Sequence, residues 1–146
     1  MERAPKMLQT VSFYTHISDI PSFICRLLRT VYDKHTDIAV RCATLEQCQW
    51  LDQQLWAFDD NSFLAHDVWA DNPNSTAPIV LFSPNDDFSQ CPFATVLNLS
   101  TEACLDNRFT RIVEIVGADE TALAAARQRF RLYKDAGFVI DHKKMQ

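Results

Sequence analysis

The sequence predicts an α/β fold: a three-layer α/β/α single domain around a mainly parallel (mixed) central sheet, Rossmann-like without a nucleotide site. Three observations predict it. Short apolar strand runs alternate with helical periods, the pattern of right-handed βαβ units whose sheet is covered on both faces. The chain has 146 residues, one domain at roughly 100–200 residues per domain. It has two glycines, Gly117 and Gly137. The loops GxGxxG and GxxxxGKS/T, in which clustered glycines let backbone N–H groups approach phosphate, are therefore absent.

Each element follows from local chemistry. Val11 to His16 alternates as a strand does. Pro21 suits the first turn of a helix, with Phe23, Ile24, Leu27, Leu28 and Val31 spaced three or four apart behind it. Asp37 to Ala43 makes a second short strand. Thr44 followed by Gln47 fits a capping box, opening a helix that runs to about Ala57 with Leu45, Cys48, Leu51 and Leu55 on one stripe. Residues 58–77 are turn-rich. Ile79–Phe82, Phe93–Leu99 and Arg111–Val116 are strand candidates. Asp119 caps a long helix that ends near Gly137. Residues 1–10 and 139–146 read as flexible ends.

Composition narrows the function classes. Hydrophobic residues make up 47% and charged residues 23%, too apolar a balance for disorder. No run of about 18 apolar residues exists to span a membrane, and MERAPKMLQT lacks the apolar region of a secretory signal. The five cysteines (25, 42, 48, 91 and 104) are odd in number and form no CxxC pair, which points to reduced thiols in the cytosol. The net charge of −5 hides an asymmetry. Residues 1–120 hold 8 basic and 17 acidic side chains, whereas residues 121–146 hold 6 basic against 2 acidic. Such a segregated basic end reads as a docking surface for something acidic, or as a solvated helix face.

Catalytic signals are weak. His16, His35, His66 and His142 make neither HxxxH nor HExxH, so no metal site is expected. Cys42 and Cys48 straddle the strand–helix join and read as structural thiols. Asp59-Asp60 and Asp86-Asp87 lie among turn formers.

The aromatics and the last helix say more. At about 100° per residue, Trp50 falls off the second helix's apolar stripe and Trp56 lies at its edge. Phe58, Phe63 and Trp69 follow in the loop. Large aromatics outside a core stripe mark either a partner's anchor site or a small second core. In the last helix Ala122, Ala125, Arg129, Leu132, Tyr133 and Ala136 share one side. That side is the predicted core face, on which Arg129 is awkward and unexplained; a buried carboxylate such as Glu114 is one candidate partner. Leu123, Arg127, Phe130, Arg131 and Lys134 share the other side, within roughly 100° of one another. Apolar residues interleaved with cations suit an acidic peptide that also inserts a hydrophobic side chain. Nucleic acid could use the same cations, although the overall charge repels a phosphate backbone.

Trp50-Leu-Asp-Gln-Gln-Leu-Trp56, Ser62-Phe63-Leu-Ala-His66 and the stretch from Arg127 to Phe138 resemble the chi-subunit family of bacterial DNA polymerase III, and the element order agrees over nearly the whole chain. The resemblance implies a non-catalytic accessory subunit of the clamp-loader assembly, cytoplasmic and replisome-associated, with no cofactor or metal. It implies two partners: psi, bound one-to-one, and the acidic, phenylalanine-ended C-terminal tail of single-stranded DNA-binding protein. By that resemblance Arg127 grips the tail's carboxylates, with Leu123, Phe130, Arg131 and Lys134 beside it. Trp56 and Phe63 then belong to the surface for psi, or for a helicase competing for that place. Leu123 stands where a chi-like chain can carry lysine, which implies a weaker, less salt-sensitive tail site. Sequence-specific DNA contact is not implied. The alternatives are a direct single-stranded nucleic-acid binder and a small α/β hydrolase or transferase.

Overall fold

A fully parallel sheet needs strands apolar on both faces, and the central strands here are. The computed structural model describes residues 9–56, 64–106 and 108–145. Its elements are β1 (Thr10–Ile17), α1 (Ile20–Asp33), β2 (Ile38–Arg41), α2 (Leu45–Trp56), β3 (His66–Val68), β4 (Ile79–Phe82), β5 (Thr95–Asn98), β6 (Arg111–Gly117), α3 (Glu120–Asp135) and β7 (Val139–Lys144). Among the described residues the strands form one seven-stranded sheet in the order β3-β4-β2-β5-β6-β1-β7. Every pairing is parallel, so the mixing that the sequence allowed does not occur. Each strand is followed by a helix or a long loop rather than a hairpin turn, which returns the chain to the same end of the sheet.

Alternation along the strands builds two cores. Ile38, Val40, Ile79, Leu81, Leu97 and Val113 face α1 and α2. Val11, Phe13, Ala39, Val80, Phe82, Val96 and Ile112 face α3 and the long loops. Two helices start where the sequence places their caps, and the first is capped by Asp19, ahead of the Pro21 that marked its first turn. Asp19 accepts from the Ser22 N–H at 3.2 Å, and Asp119 from the Ala122 N–H at 2.8 Å. Thr44 accepts from the Gln47 N–H at 3.0 Å, while Gln47 reaches back to the Ala43 N–H at 2.7 Å, one residue earlier than a standard capping box.

The end of α3 decides where β7 goes. Gly137 sits at φ 91°, a conformation in which a Cβ would be strained. The Phe138 N–H then reaches the Tyr133 carbonyl and the Gly137 N–H the Lys134 carbonyl. That is the Schellman pattern, and Phe138 packs on Tyr133 with ring centroids 5.2 Å apart.

Several expectations are corrected. Residues 139–144 are not a loose end but strand β7, parallel to β1. An edge strand needs only backbone pairing, so Val-Ile-Asp-His-Lys-Lys lacks the apolar run by which strands are recognised. The expectation for residues 1–10 falls mostly outside the described residues. Gln9 and Thr10 are described, and Gln9 binds the Asp106 and Phe109 carbonyls through its side chain. Strand β3 lies within the segment read as turns, too short and polar to signal itself. Trp69 is core, stacked on Phe82 at 4.7 Å, because it leaves β3 toward the opposite face from α2. Leu132 and Ala136 are exposed; the buried line of α3 runs through Ala126, Arg129 and Tyr133.

Candidate functional site: a basic groove beside α3

The buried line of α3 fixes the helix's rotation. Arg129 Nε donates to Glu114 Oε1 at 3.0 Å. Tyr133 Oη and Asn98 Nδ2 each donate to Glu114 Oε2 at 2.7 Å. Tyr133 Oη in turn accepts the Cys104 N–H at 2.9 Å. Glu114 is fully buried. Burial pushes its carboxyl above the usual carboxylate range, while Arg129 and the hydrogen bonds from Asn98 and Tyr133 oppose that rise. Arg129 therefore pairs with Glu114, which leaves the opposite flank of α3 lying along β1 and β7.

That flank is the basic groove. Leu123, Arg127, Phe130, Arg131 and Lys134, the five residues singled out in the sequence, all line one open cavity of about 410 Å³. The floor comes from Phe13, Thr15 and His16 of β1, with Ala126 of α3 and His142 of β7. Phe130 remains 37% exposed although its ring lies 5.6 Å from Phe13. Thr15 Oγ1 is 2.7 Å from His142 Nε2 and 2.9 Å from His16 Nδ1. His16 itself sits at φ 61° and lines the groove at the carboxyl end of β1.

The electrostatics are one-sided. Among the described residues three cations line the groove and no carboxylate does. Among the described residues none of Arg127, Arg131 and Lys134 has a carboxylate within 4.0 Å. Arg127 and Arg131 are also four apart on one helix, a mildly repulsive spacing for like charges. An anion laid in the groove relieves that repulsion, and the aromatic floor can hold an apolar group beside it. Sequence reasoning missed Phe13, Thr15, His16 and His142. Phe13 and Thr15 could have been found as alternate residues of one strand face; His142 could not, because β7 gave no strand signal.

The second predicted surface is only partly described. Trp56 ends α2 with 61% of its surface exposed, its ring edge-on to His66 at 5.6 Å. His66 Nε2 lies 2.6 Å from Asp52 Oδ1, and Nδ1 lies 2.7 Å from the Leu64 carbonyl. This clamp joins β3 to α2. Trp50 packs on the α1–α2 core. Phe58 and Phe63 lie outside the described residues.

The carboxyl ends of β2, β4 and β5 form the crevice where an α/β enzyme would hold its substrate. Arg41, Cys42, Ser83, Asp86, Asp87 and Glu102 are among the residues there. Arg41 faces Glu102 at 3.4 Å, and Asp86 accepts from the Ser83 N–H. The Cys42 thiol is pushed up by its hydrogen bond with Cys48 and by burial, and the same bond lowers Cys48. No nucleophile–base pair is assembled among these described residues.

Comparison with known proteins now adds an identity. The family model described as DNA polymerase III chi subunit, HolC, matches residues 8–141. Proteins named DNA polymerase III subunit chi are similar along most of their length. That of Pseudomonas aeruginosa is 27% identical, covering 91% of this chain and 95% of its own. That of Escherichia coli K12 is 24% identical, covering 84% and 83%. The Haemophilus influenzae protein is 21% identical, covering 90% and 94%. With α/β architecture, element order and sequence in agreement, the chain belongs to the DNA polymerase III chi-subunit family, accessory subunits of the replicative polymerase.

Proposed function

We propose that this protein works as a single-domain, non-catalytic adaptor in the cytoplasm. One surface holds the psi subunit; the groove beside α3 holds the acidic C-terminal tail of single-stranded DNA-binding protein. The observation that carries the tail assignment is the uncompensated cluster of Arg127, Arg131 and Lys134 beside an exposed phenylalanine. A carboxylate-rich segment meets the cations, and a terminal phenyl ring packs on Phe130 and Phe13. Charge steers the encounter and fixes orientation, while the apolar contact slows release. Leu123 extends the apolar wall and adds no charge.

The psi surface is centred on Trp56 and Phe63, with a helicase as a competing occupant. Its support is an exposed tryptophan held by the Asp52–His66 clamp, of the anchor type common at interface centres.

The test is fluorescence anisotropy with a labelled peptide of several aspartates ending in phenylalanine, and a labelled DNA single strand alongside. Micromolar binding of the peptide and none of the DNA supports the adaptor. Salt-steep DNA binding without peptide binding identifies a nucleic-acid protein instead.

A further inference from the structure

Strand β7 closes one end of the sheet, and among the described residues its outer edge pairs with no other strand. Its inner edge is fixed by two bonds. The Val139 N–H donates to the Gln9 carbonyl at 2.8 Å, and the Met145 N–H to the Thr15 carbonyl at 2.9 Å. In a parallel ladder a residue's N–H and C=O point the same way, and successive residues alternate. Positions 139, 141, 143 and 145 therefore face β1. Ile140, His142 and Lys144 turn their backbone N–H and C=O groups outward.

Six residues of unpaired edge are a template for another chain, and two features select the occupant. The first is charge: β7 carries His142, Lys143 and Lys144 against Asp141. A second copy pairing edge to edge would set two net-positive strands side by side, with two copies of Asp141 against four lysines. An acidic strand meets the opposite sign. The second is continuity. His142 lines the basic groove while its backbone faces the open edge, so a chain leaving the groove over β7 passes those outward groups.

We infer that an acidic peptide seated in the groove adds itself as an eighth strand along β7, its backbone pairing with Ile140, His142 and Lys144. This rests on the tail-binding reading above and deepens it. Backbone pairing supplies affinity that is indifferent to side chains, as in other strand-addition modes, while the cations and the aromatic floor supply selectivity.

Amide hydrogen exchange on the nitrogen-labelled full chain tests it, with and without the aspartate-rich, phenylalanine-ended peptide. The amides of Ile140, His142 and Lys144 should slow by roughly tenfold or more at saturation, and those of Asp141 and Lys143, already in the β1 ladder, by less. A second arm compares Lys144→Pro with Lys144→Ala. Proline deletes only an outward N–H, which an edge strand tolerates, and should bind the peptide roughly fivefold to tenfold more weakly than the alanine variant. Peptide binding with unchanged exchange at the three outward amides overturns strand addition and leaves the groove assignment standing. Absence of peptide binding overturns both.

Discussion

Arg127 and Arg129 are the same residue type two positions apart on one helix, and they do opposite work. About 200° of helical rotation separates them. Arg129 points into the protein, where Glu114 takes its charge and Asn98 and Tyr133 complete the carboxylate's hydrogen bonds. Arg127 points into the groove with Arg131 and Lys134, where no carboxylate among the described residues answers it. The buried arginine sets the helix's phase; the groove arginine uses it. What separates the two cations is whether the described fold supplies a counter-charge: Glu114 does so for Arg129, and no described carboxylate does so for Arg127.

The largest effect that sharpens the contrast is Arg129→Ala. Removing one member of a buried pair leaves Glu114 uncompensated and should cost about 3–5 kcal/mol of stability, read by urea unfolding. Arg127→Ala should cost about 2–4 kcal/mol of peptide binding by anisotropy. A loss of stability as large as that of Arg129→Ala would break the distinction.

Next comes the pH dependence of the buried side. Burial pushes the Cys104 thiol up to about 11, against a weaker opposing pull from Arg41. A thiol pKa raised by folding gives stability that is full below the unfolded thiol's range and is lost as pH rises toward about 11. Unfolding free energy should fall on the order of 2 kcal/mol across that window, with a shallower slope in Cys104→Ala.

Smallest is Trp56→Ala, which should weaken psi binding by about 1–2 kcal/mol in calorimetry and spare the peptide. Equal losses for both partners would merge two surfaces into one.

Much of this contrast was legible in the sequence. Angle counting placed Leu123, Arg127, Phe130, Arg131 and Lys134 on one face, because helical periodicity is a local property; the partner of Arg129, on another element, was not readable that way. The same counting put Leu132 in the core, since it cannot tell which flank of an apolar stripe the sheet covers. That depends on Glu114, which lies on another element. Edge strands were the blind spot. β3 and β7 are short or charged because solvent reaches them, and pairing partners distant in sequence define them. With β7 unseen, His142, one of the five floor residues, was invisible too.

The most direct test of the division between the two arginines measures stability and peptide affinity on the same Arg127→Ala preparation. The account predicts unfolding within about 0.5 kcal/mol of the unaltered protein, together with a loss of peptide affinity of about thirtyfold or more. Unchanged affinity, or a fold weakened as much as by Arg129→Ala, would contradict it.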